Sequence, residues 1–170
     1  PGRGLVNDVP AAYRVGYAVD TDALSDLANN AAVSVGKRVP DSTVTPEQLA
    51  RRDWWQGPEL FVLIDDYDLF GTGTSMGSPM APLVNLLAQG HNVGMHVVIA
   101  RSTSGSSRAM MDPALRRMWE LGNPALLFSY PKEEGKFIGE AKPRTLPPGR
   151  AQLVTRRSVK LIQTGLVPPA

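Results

Sequence analysis

The 170-residue chain contains no cysteine and only two histidines, His91 and His96. The missing cysteines exclude disulfide bonds and thiolate metal sites, and two histidines alone give a zinc site little support. No apolar run reaches the length of a membrane span, and residues 1–10 do not show the apolar core of a signal peptide. The absence of cysteine fits a reducing compartment. Because the chain opens on Pro1 rather than methionine, we expect it to be a piece of a longer protein.

A further absence concerns phosphate binding. The chain has no run of the form Gly-x-x-x-x-Gly-Lys-Ser/Thr, the loop whose backbone N–H groups and lysine hold the phosphates of a nucleotide. The nearest run, Gly36-Lys37-Arg38, lacks both the upstream glycine and the hydroxyl residue. A glycine beside two cations is typical of a helix C-terminus, and we interpret this run as one.

The composition fits one globular domain covering residues 1–170. Hydrophobic residues make up 42% of the chain, which is enough to form a core. The net charge of +2 is unevenly spread, since residues 1–100 hold 6 basic and 11 acidic side chains and residues 101–170 hold 12 and 5. A basic second half suits nucleic acid, phosphate or an acidic partner, although scattered cations also occur on an ordinary solvated face.

The most informative feature present is the run LFVLIDD at residues 60–66. A buried parallel strand reads as an unbroken apolar run, and a carboxylate at its C-terminal end lies where open α/β sheets bind their ligands. The run resembles the Walker B strand of a P-loop ATPase, in which Asp65 would hold Mg²⁺. The alternative is an ordinary buried strand that ends in a turn acid.

The rest of the chain predicts alternating strands and helices. In the first half we expect a short strand at Arg14–Val19, then a helix capped by Asp20 or Thr21, then a short helix after the capping pattern of Thr45 and Gln48. After the acidic strand the predicted elements are a Gly/Ser/Thr loop at Gly71–Gly77, a helix from Ser78-Pro79 to Gly90 and a strand at His96–Ala100.

The second half predicts a polar loop, one helix and three strands. Residues 101–108 read as a flexible loop, and Asp112-Pro113 begins a helix that Gly122 ends. A short strand follows at Ala125–Ser129. The alternating runs Gly149–Thr155 and Ser158–Gln163 predict an antiparallel hairpin at the edge of the sheet.

Four runs carry a family resemblance that extends over nearly the whole chain. They are TPEQLARRDWWQGPELFVLIDDYDLF from Thr45, GMHVVIAR from Gly94, MMDPALRRMWELG from Met110 and GRAQLV from Gly149. The sequence resembles the C-terminal ATPase domain of the EccC-type FtsK/SpoIIIE-like ATPases of mycobacterial type VII (ESX) secretion. The paired tryptophans before the strand, with DDYDL after it, are the specific part of the match.

The resemblance implies an α/β fold with a RecA-like P-loop NTPase core. It implies a mostly parallel sheet with a C-terminal antiparallel hairpin, and a Walker A strand, loop and helix that would lie before Pro1. ATP and Mg²⁺ would bind only with that missing half. The implied role is the export of WxG-type protein pairs by a motor that is cytoplasmic and tethered to an inner-membrane complex, in contact with its other ATPase domains. The cargo-binding residues remain unassigned.

The resemblance also implies roles for four site residues. Asp65 matches the metal-site acid, and Asp66 stands where an active motor has a glutamate one methylene longer. Positioning of the attacking water is demanding, so the shorter acid places hydrolysis in doubt. Arg101 and Ser102 replace the Thr-Gln pair that senses the γ-phosphate. Arg101 would either contact a phosphate or form an ordinary surface ion pair.

Two other functions stay open. A DNA translocase of the FtsK group would use the basic second half, although such a motor should keep the catalytic glutamate, which argues against DNA as the partner. An aspartate-nucleophile phosphotransferase would use Asp66 with Asp68 after the apolar strand, and would need a lysine and an acid pair such as Lys132 with Glu133-Glu134.

The tryptophan pair Trp54-Trp55 has two interpretations. Neighbouring residues before a strand point in different directions, so we expect one ring in the core and the other available to a neighbouring domain.

Overall fold

The computed structural model describes residues 9–70 and 77–165, and the chain forms two compact units. The first unit spans Pro1–Ser102 and the second spans Thr103–Ala170. Among the described residues, every helix is too short or too polar for a bilayer crossing.

The first long element is helix α1, Thr21–Gly36, which Asp20 caps as predicted. The Asp20 Oδ1 accepts the Ala23 N–H at 2.8 Å, which satisfies one of the amides that a helix start leaves without a partner. Apolar residues at helical spacing bury one face of α1: Leu24, Ala28 and Val35. The helix ends at Gly36, so the interpretation of the Gly-Lys-Arg run as a helix terminus is confirmed.

The second helix is the predicted short one, α2, Pro46–Arg51. Its capping box is complete, because the Gln48 N–H donates to Thr45 Oγ1 at 3.2 Å and the Thr45 N–H donates to Gln48 Oε1 at 2.9 Å.

The predicted strand at Arg14–Val19 is wrong. The segment follows a 3-10 turn, Ala11–Tyr13, and pairs with none of the described strands. Its alternating apolar side chains are exposed, with Val15 at 87% and Val19 at 65%. Alternating apolar residues indicate that one face of a segment could be buried. A strand also requires a neighbouring strand with free backbone N–H and C=O groups, and the described residues supply none here.

The two strands of the first unit are β1, Leu60–Ile64, and β2, Met95–Ile99. They pair in parallel, with Leu60 beside Met95 and Ile64 beside Ile99. Side chains alternate between two faces, and only one of these faces is well covered. Phe61, Leu63 and Val98 on the other face are 60%, 47% and 57% exposed.

The helix predicted from Ser78 to Gly90 is broken into two short turns. Helix α3 covers only Ala81–Val84, and a 3-10 turn follows at Leu87–Gln89. Pro82 has no N–H to donate to the Ser78 carbonyl, so the helix begins only at Ala81, with Pro82 in its first turn. The predicted loop at Gly71–Gly77 lies outside the described residues, except for Gly77.

The second unit contains two helices and three strands. Helix α4, Ser106–Ala109, lies in the stretch predicted as a loop, and helix α5, Pro113–Glu120, begins at the predicted Asp112 cap. Strand β3 is Ala125–Leu127, β4 is Arg150–Val154 and β5 is Val159–Gln163. The core of this unit holds Leu127, Tyr130, Ala141 and Val154, with Trp119 packed against them.

The prediction of an α/β fold is confirmed, but that of one mostly parallel sheet is not. In the described residues β1 and β2 form a two-stranded parallel sheet, while β3, β4 and β5 form a separate antiparallel sheet. The predicted β4–β5 hairpin is present, and β3 pairs with it rather than with β2. Sequence periodicity does not reveal which strands become neighbours, which explains the error.

The tryptophan pair connects the segment that follows α1 with the segment that precedes β2. Both rings are half-buried, so the expectation of one core ring is wrong. The Trp54 Nε1–H donates to the Arg38 carbonyl at 2.7 Å, and the Trp55 Nε1–H donates to the Asn92 carbonyl at 2.7 Å. The Arg38 guanidinium lies over the Trp55 ring at 4.6 Å.

Gly94 is required where the Trp55 ring meets the turn before β2. Its φ is +64°, and an added Cβ would lie 2.8 Å from Trp55 Cζ2. Its carbonyl also accepts the Leu60 N–H at 2.7 Å, the bond that starts the parallel pairing. Any side chain at this position therefore strains the backbone and displaces the ring.

We predict that Gly94→Ala lowers the free energy of unfolding by about 2–4 kcal/mol, because the left-handed backbone and the ring overlap both add a cost. Gly105→Ala is the matched control, since Gly105 also has a left-handed φ of +67° and no described atom lies within 4 Å of an added Cβ. We expect that control to cost about 1 kcal/mol, the backbone term alone. The measurement is urea denaturation of each variant, and equal losses would contradict the role of the Trp55 contact.

Candidate functional site

The candidate site lies where the two parallel strands end. Beyond β1 and β2 the pairing continues, because the Ala100 N–H donates to the Ile64 carbonyl at 2.8 Å and the Tyr67 N–H donates to the Ala100 carbonyl at 3.0 Å. The predicted residues Asp65 and Arg101 therefore follow the ends of adjacent strands at one edge of the sheet. Open α/β sheets bind ligands at this edge.

Asp65 is exposed at this edge. One of its oxygens, Oδ1, accepts the N–H of Asp66 at 3.0 Å. The carboxylate therefore lies against the peptide group that follows it. The described residues contain no group of three or more His, Cys, Asp or Glu side chains arranged to hold a metal. Asp65 thus offers a single exposed carboxylate. That fits Mg²⁺ only where phosphate oxygens and water complete the coordination.

Asp66 adopts a left-handed backbone, with φ of +52° and ψ of +41°. Aspartate tolerates this conformation better than longer side chains, because its short polar group can bond locally. The turn sends the chain from β1 directly into the 3-10 turn Tyr67–Leu69. Asp66 is half-buried. The backbone geometry at the site therefore suits an aspartate.

Asp68 holds the two strand-end loops together, a role that sequence reasoning missed. Its Oδ1 accepts the Ser102 N–H at 2.8 Å, across 34 positions of sequence. Sequence reasoning considered Asp68 only as a partner of Asp66 in phosphotransfer. The only local signal was a third acid in DDYD, three residues past Asp65. Asp68 positions the Arg101–Ser102 segment opposite the end of β1.

Arg101 and Ser102 form a compact corner. The Arg101 Nε donates to the Ser102 carbonyl at 2.8 Å, so the guanidinium folds back along its own segment. Arg101 is half-buried and Ser102 is exposed. Arg101 follows the end of β2, the strand that pairs with β1, and its contact with a phosphate stays a prediction.

Tyr67 is a buried residue that connects the turn after β1 with Ser78. Its side chain is fully buried, and its hydroxyl lies 3.0 Å from Ser78 Oγ. Ser78 follows the Gly/Ser/Thr run, so this bond joins the 3-10 turn after β1 to the start of the next described segment. The tyrosine of DDYDL is thus a core residue.

An apolar depression of about 220 Å³ adjoins Asp65. Its lining combines the exposed sheet face with the strand ends: Leu63, Ile64, Asp65, Val98 and Ala100. Parallel strands are normally covered on both faces. Residues 9–70 and 77–165 leave this face of the sheet uncovered beside Asp65.

The two histidines and the Lys132–Glu134 group, the other residues considered from the sequence, contact neighbouring protein groups. His96 stacks on Phe61, with ring centroids 4.6 Å apart, and its Nε2 lies 3.1 Å from Glu59 Oε2. His91 is exposed and hydrogen bonded to Arg52. In the second unit, the predicted phosphotransfer group forms the 3-10 turn Lys132–Glu134, in which Glu134 Oε2 accepts the Gly105 N–H at 3.1 Å.

Comparison with known proteins gives a consistent set of relatives. No family model matches the chain. The ESX secretion system protein EccC of Thermomonospora curvata is 40% identical over 163 residues, which are 95% of this chain and 12% of that protein. The ESX-4 secretion system protein EccC4 of Mycobacterium tuberculosis is 35% identical over 166 residues, 97% of this chain and 13% of that protein. The chain thus spans about an eighth of the length of these two relatives.

Solved structures agree with the sequence matches. The cytoplasmic domain of the Thermomonospora curvata type VII secretion ATPase EccC superposes with a TM-score of 0.87 at 38% identity, over 99% of this chain and 19% of that chain. The structure of ATPases 2 and 3 of the same EccC, in complex with a signal sequence peptide, also gives 0.87 at 38% identity, over 99% of this chain and 30% of that chain.

We predict that Asp68→Ala speeds hydrogen exchange of the Ser102 amide by about fivefold to tenfold, the value of one lost charge-assisted hydrogen bond near the surface. Asp68→Asn is the matched control, because it keeps an acceptor oxygen at the same position. The measurement is amide exchange followed by NMR. Unchanged Ser102 exchange in the alanine variant would show that Asp68 does not hold the two loops together.

Proposed function

We propose, on the premise that the chain belongs to the EccC family of type VII (ESX) secretion ATPases, that it forms the Walker B half of a nucleotide site. In this proposal residues 1–170 make one partial FtsK-like ATPase domain with a RecA-like core. The observation that carries it is the position of Asp65, exposed at the carboxyl end of β1 and beside the end of β2. Nucleotide ligands bind at such strand ends in open α/β sheets.

Asp65 is the proposed Mg²⁺ ligand. Mg²⁺ retains several waters and is usually held by one or two carboxylates together with substrate phosphates. The lone exposed carboxylate of Asp65 suits that mode, whereas an all-protein cage would need more ligands than this segment brings together. When bound, Mg²⁺ would offset charge on the phosphates of ATP.

Asp66 occupies the position of the catalytic acid in a shortened form. A glutamate there would reach one methylene further toward an attacking water, and a displacement of about 1 Å can cost about 100-fold in rate. The left-handed backbone of Asp66 favours the shorter residue. We therefore propose that this domain binds nucleotide mainly in a regulatory role, with slow hydrolysis.

The exposed sheet face supports the proposal of an incomplete site. Phe61, Leu63 and Val98 leave a contiguous apolar surface next to Asp65. A segment packed on that surface would be adjacent to the carboxylate, so a phosphate loop delivered from there would face Asp65, with Arg101 and Ser102 at the adjacent strand end. ATP would then bind between the two halves.

The partners follow from the relatives. One related EccC structure contains a signal sequence peptide. We propose that this domain takes part in recognising such signals on WxG-type substrates, and that it contacts other ATPase domains of the same secretion complex. The related structure is a cytoplasmic domain. We place this chain in the cytoplasm, tethered to an inner-membrane complex through the rest of its protein.

The first test uses the complete ATPase domain, with its phosphate loop present. We expect Asp65→Ala to weaken Mg²⁺-dependent ATP binding by about tenfold, because a charged metal ligand is lost, and to leave binding in EDTA unchanged. Asp53→Ala is the control, since Asp53 pairs with Arg51 on the surface before β1. Calorimetric titration measures both. Equal ATP affinities for Asp65→Ala and Asp53→Ala at saturating Mg²⁺ would make Asp65 a simple strand-end residue.

The same domain tests the role of Asp66. Asp66→Glu should raise steady-state hydrolysis by at least about tenfold, if the short acid is what limits the rate. Asp66→Asn keeps the backbone preference and removes the charge, so it should not gain activity. A glutamate variant that folds and binds ATP normally but shows no gain would remove Asp66 as the limiting residue.

A further prediction separates cargo recognition from DNA translocation. A helical peptide from the C-terminus of a WxG-type substrate should bind with modest salt dependence, because an apolar contact dominates. Duplex DNA should bind weakly and lose affinity steeply from about 50 to about 200 mM salt. Fluorescence anisotropy of both labelled ligands at the two salt levels decides the question. Tight duplex binding at the higher salt, without peptide binding, would favour the DNA motor.

A further inference from the structure

An open pocket of about 250 Å³ lies at one edge of the antiparallel sheet in the second unit. Val159 and Leu161 of β5 form its floor, and Gln152 of β4 forms one wall. The segment before β4 supplies its charged rim: Glu140, Lys142 and Arg144. The pocket shares no residue with the proposed nucleotide site.

The pocket exists because the core covers β4 more completely than β5. The register pairs Gln152 with Leu161 and Val154 with Val159, so these four side chains share one face of the sheet. Val154 is fully buried in the core, whereas Val159 and Leu161 remain 36% and 46% exposed. The apolar floor is therefore open to a ligand.

Gln152 is a buried polar residue that lines one side of this pocket. The residue is only 2% exposed, and its Nε2 donates to the Lys142 carbonyl at 2.9 Å. This bond holds the segment that carries Lys142 over the face of the sheet on which Leu161 lies.

The rim carries an excess of positive charge. Neither Lys142 nor Arg144 forms an ion pair within 4.0 Å in the part of the chain that the structure describes. The acid of the rim, Glu140, is already matched by Lys136, whose Nζ lies 2.9 Å from its Oε1. The hydrogen bond from Lys136 lowers the pKa of Glu140, with smaller contributions from the charges of Lys136 and Lys142. An incoming anion thus meets two cations that no carboxylate neutralises directly.

The pocket also borders an open sheet edge. In the described residues the strand order is β3, β4, β5, so β5 has a neighbour on one side only. Every second residue of such a strand directs its N–H and C=O outward, where an extended peptide can pair with them. A peptide in that position would carry alternate side chains on the face of Val159 and Leu161.

We propose that this pocket binds the carboxylate of an acidic side chain carried by an extended segment of a partner polypeptide, which pairs with the edge of β5. Arg144 and Lys142 hold the carboxylate, Val159 and Leu161 contact an apolar side chain two residues from it in the peptide, and the outer edge of β5 pairs with the peptide backbone. A free phosphate group satisfies only the first of these three features. The inference does not depend on nucleotide binding.

The probe is a fluorescein-labelled pentapeptide, Val-Thr-Glu-Thr-Val with blocked ends, whose glutamate and two valines share one face of an extended strand. It is titrated with the 170-residue chain and followed by anisotropy. Binding should weaken about tenfold when glutamate in the probe is replaced by glutamine, because a charge-assisted contact is lost. The same peptide N-methylated at its glutamate and both threonines should also bind about tenfold more weakly, because N–H groups on both sides of the strand are then blocked. Inorganic phosphate and a single-stranded thymidine oligonucleotide are the competing anions.

The double variant Lys142→Gln with Arg144→Gln should bind the probe about tenfold more weakly than the wild-type chain. The matched control is Arg157→Gln with Lys160→Gln, which removes the same charge. Lys160 lies on the opposite face of β5, and Arg157 lies in the hairpin turn. We expect less than about a twofold change for the control. Circular dichroism confirms that both variants are folded.

Three outcomes would overturn the proposal. Equal loss in the two double variants would show a general charge effect, and equal binding of the glutamate and glutamine probes would show that no carboxylate is recognised. Competition by phosphate or by the oligonucleotide at the same variant-sensitive site would make the pocket a phosphate site instead.

Discussion

The hydrogen bonds that extend the parallel pairing past the ends of β1 and β2 determine the geometry of the proposed site. The Ala100 N–H reaches back to Ile64, the Tyr67 N–H then reaches Ala100, and Asp68 takes the Ser102 N–H. Each bond uses a backbone group that the strand ends would otherwise leave without a partner. Because these bonds are backbone-directed, they fix where Asp65 and Arg101 leave the sheet. The geometry of the site thus depends on the hydrogen bonds that hold the ends of β1 and β2 side by side.

The same constraint explains why an aspartate follows Asp65. After β1 the chain must turn at once to bring the Tyr67 N–H to Ala100, and the structure makes that turn with a left-handed residue. Apart from glycine, asparagine and aspartate adopt that conformation most readily. If position 66 orients the attacking water as proposed, local folding and catalysis make opposite demands on the residue there. A longer acid would suit water activation, whereas the tight turn suits the residue present.

Much of this arrangement follows from sequence because it is local. The Asp20 and Thr45 caps, the run ending in Asp65 and the alternating β4–β5 hairpin each depend on residues within a few positions of one another, and all were predicted. The Arg14–Val19 strand and the helix from Ser78 to Gly90 were predicted on equally local patterns. They failed because their outcome depends on a pairing partner and on the donor that Pro82 lacks.

What sequence reasoning missed at the site is non-local. The bond from Ser102 to Asp68 joins residues 34 positions apart, and the bond from Trp55 to Asn92 joins residues 37 positions apart. No periodicity reports such contacts. The family resemblance identified the Trp-Trp and Asp-Asp-Tyr-Asp runs as specific without a physical reason. The structure supplies a reason for both, since each run ties β1 to the segments that flank β2.

The two units divide the chemistry between them. Acidic residues exceed basic ones in residues 1–100, and the proposed metal ligand and turn acid belong to this part. Basic residues dominate after position 100, where Lys142 and Arg144 border an open strand edge. A carboxylate at strand ends suits a cation held against phosphates, and a cationic rim beside an open edge suits an acidic polypeptide. If one unit engages nucleotide and the other engages protein, then nucleotide affects partner binding only to the extent that it changes the free energy of the second unit. The short acid at position 66 fits that division, because a domain that responds to bound ATP needs occupancy of the site more than it needs rapid turnover.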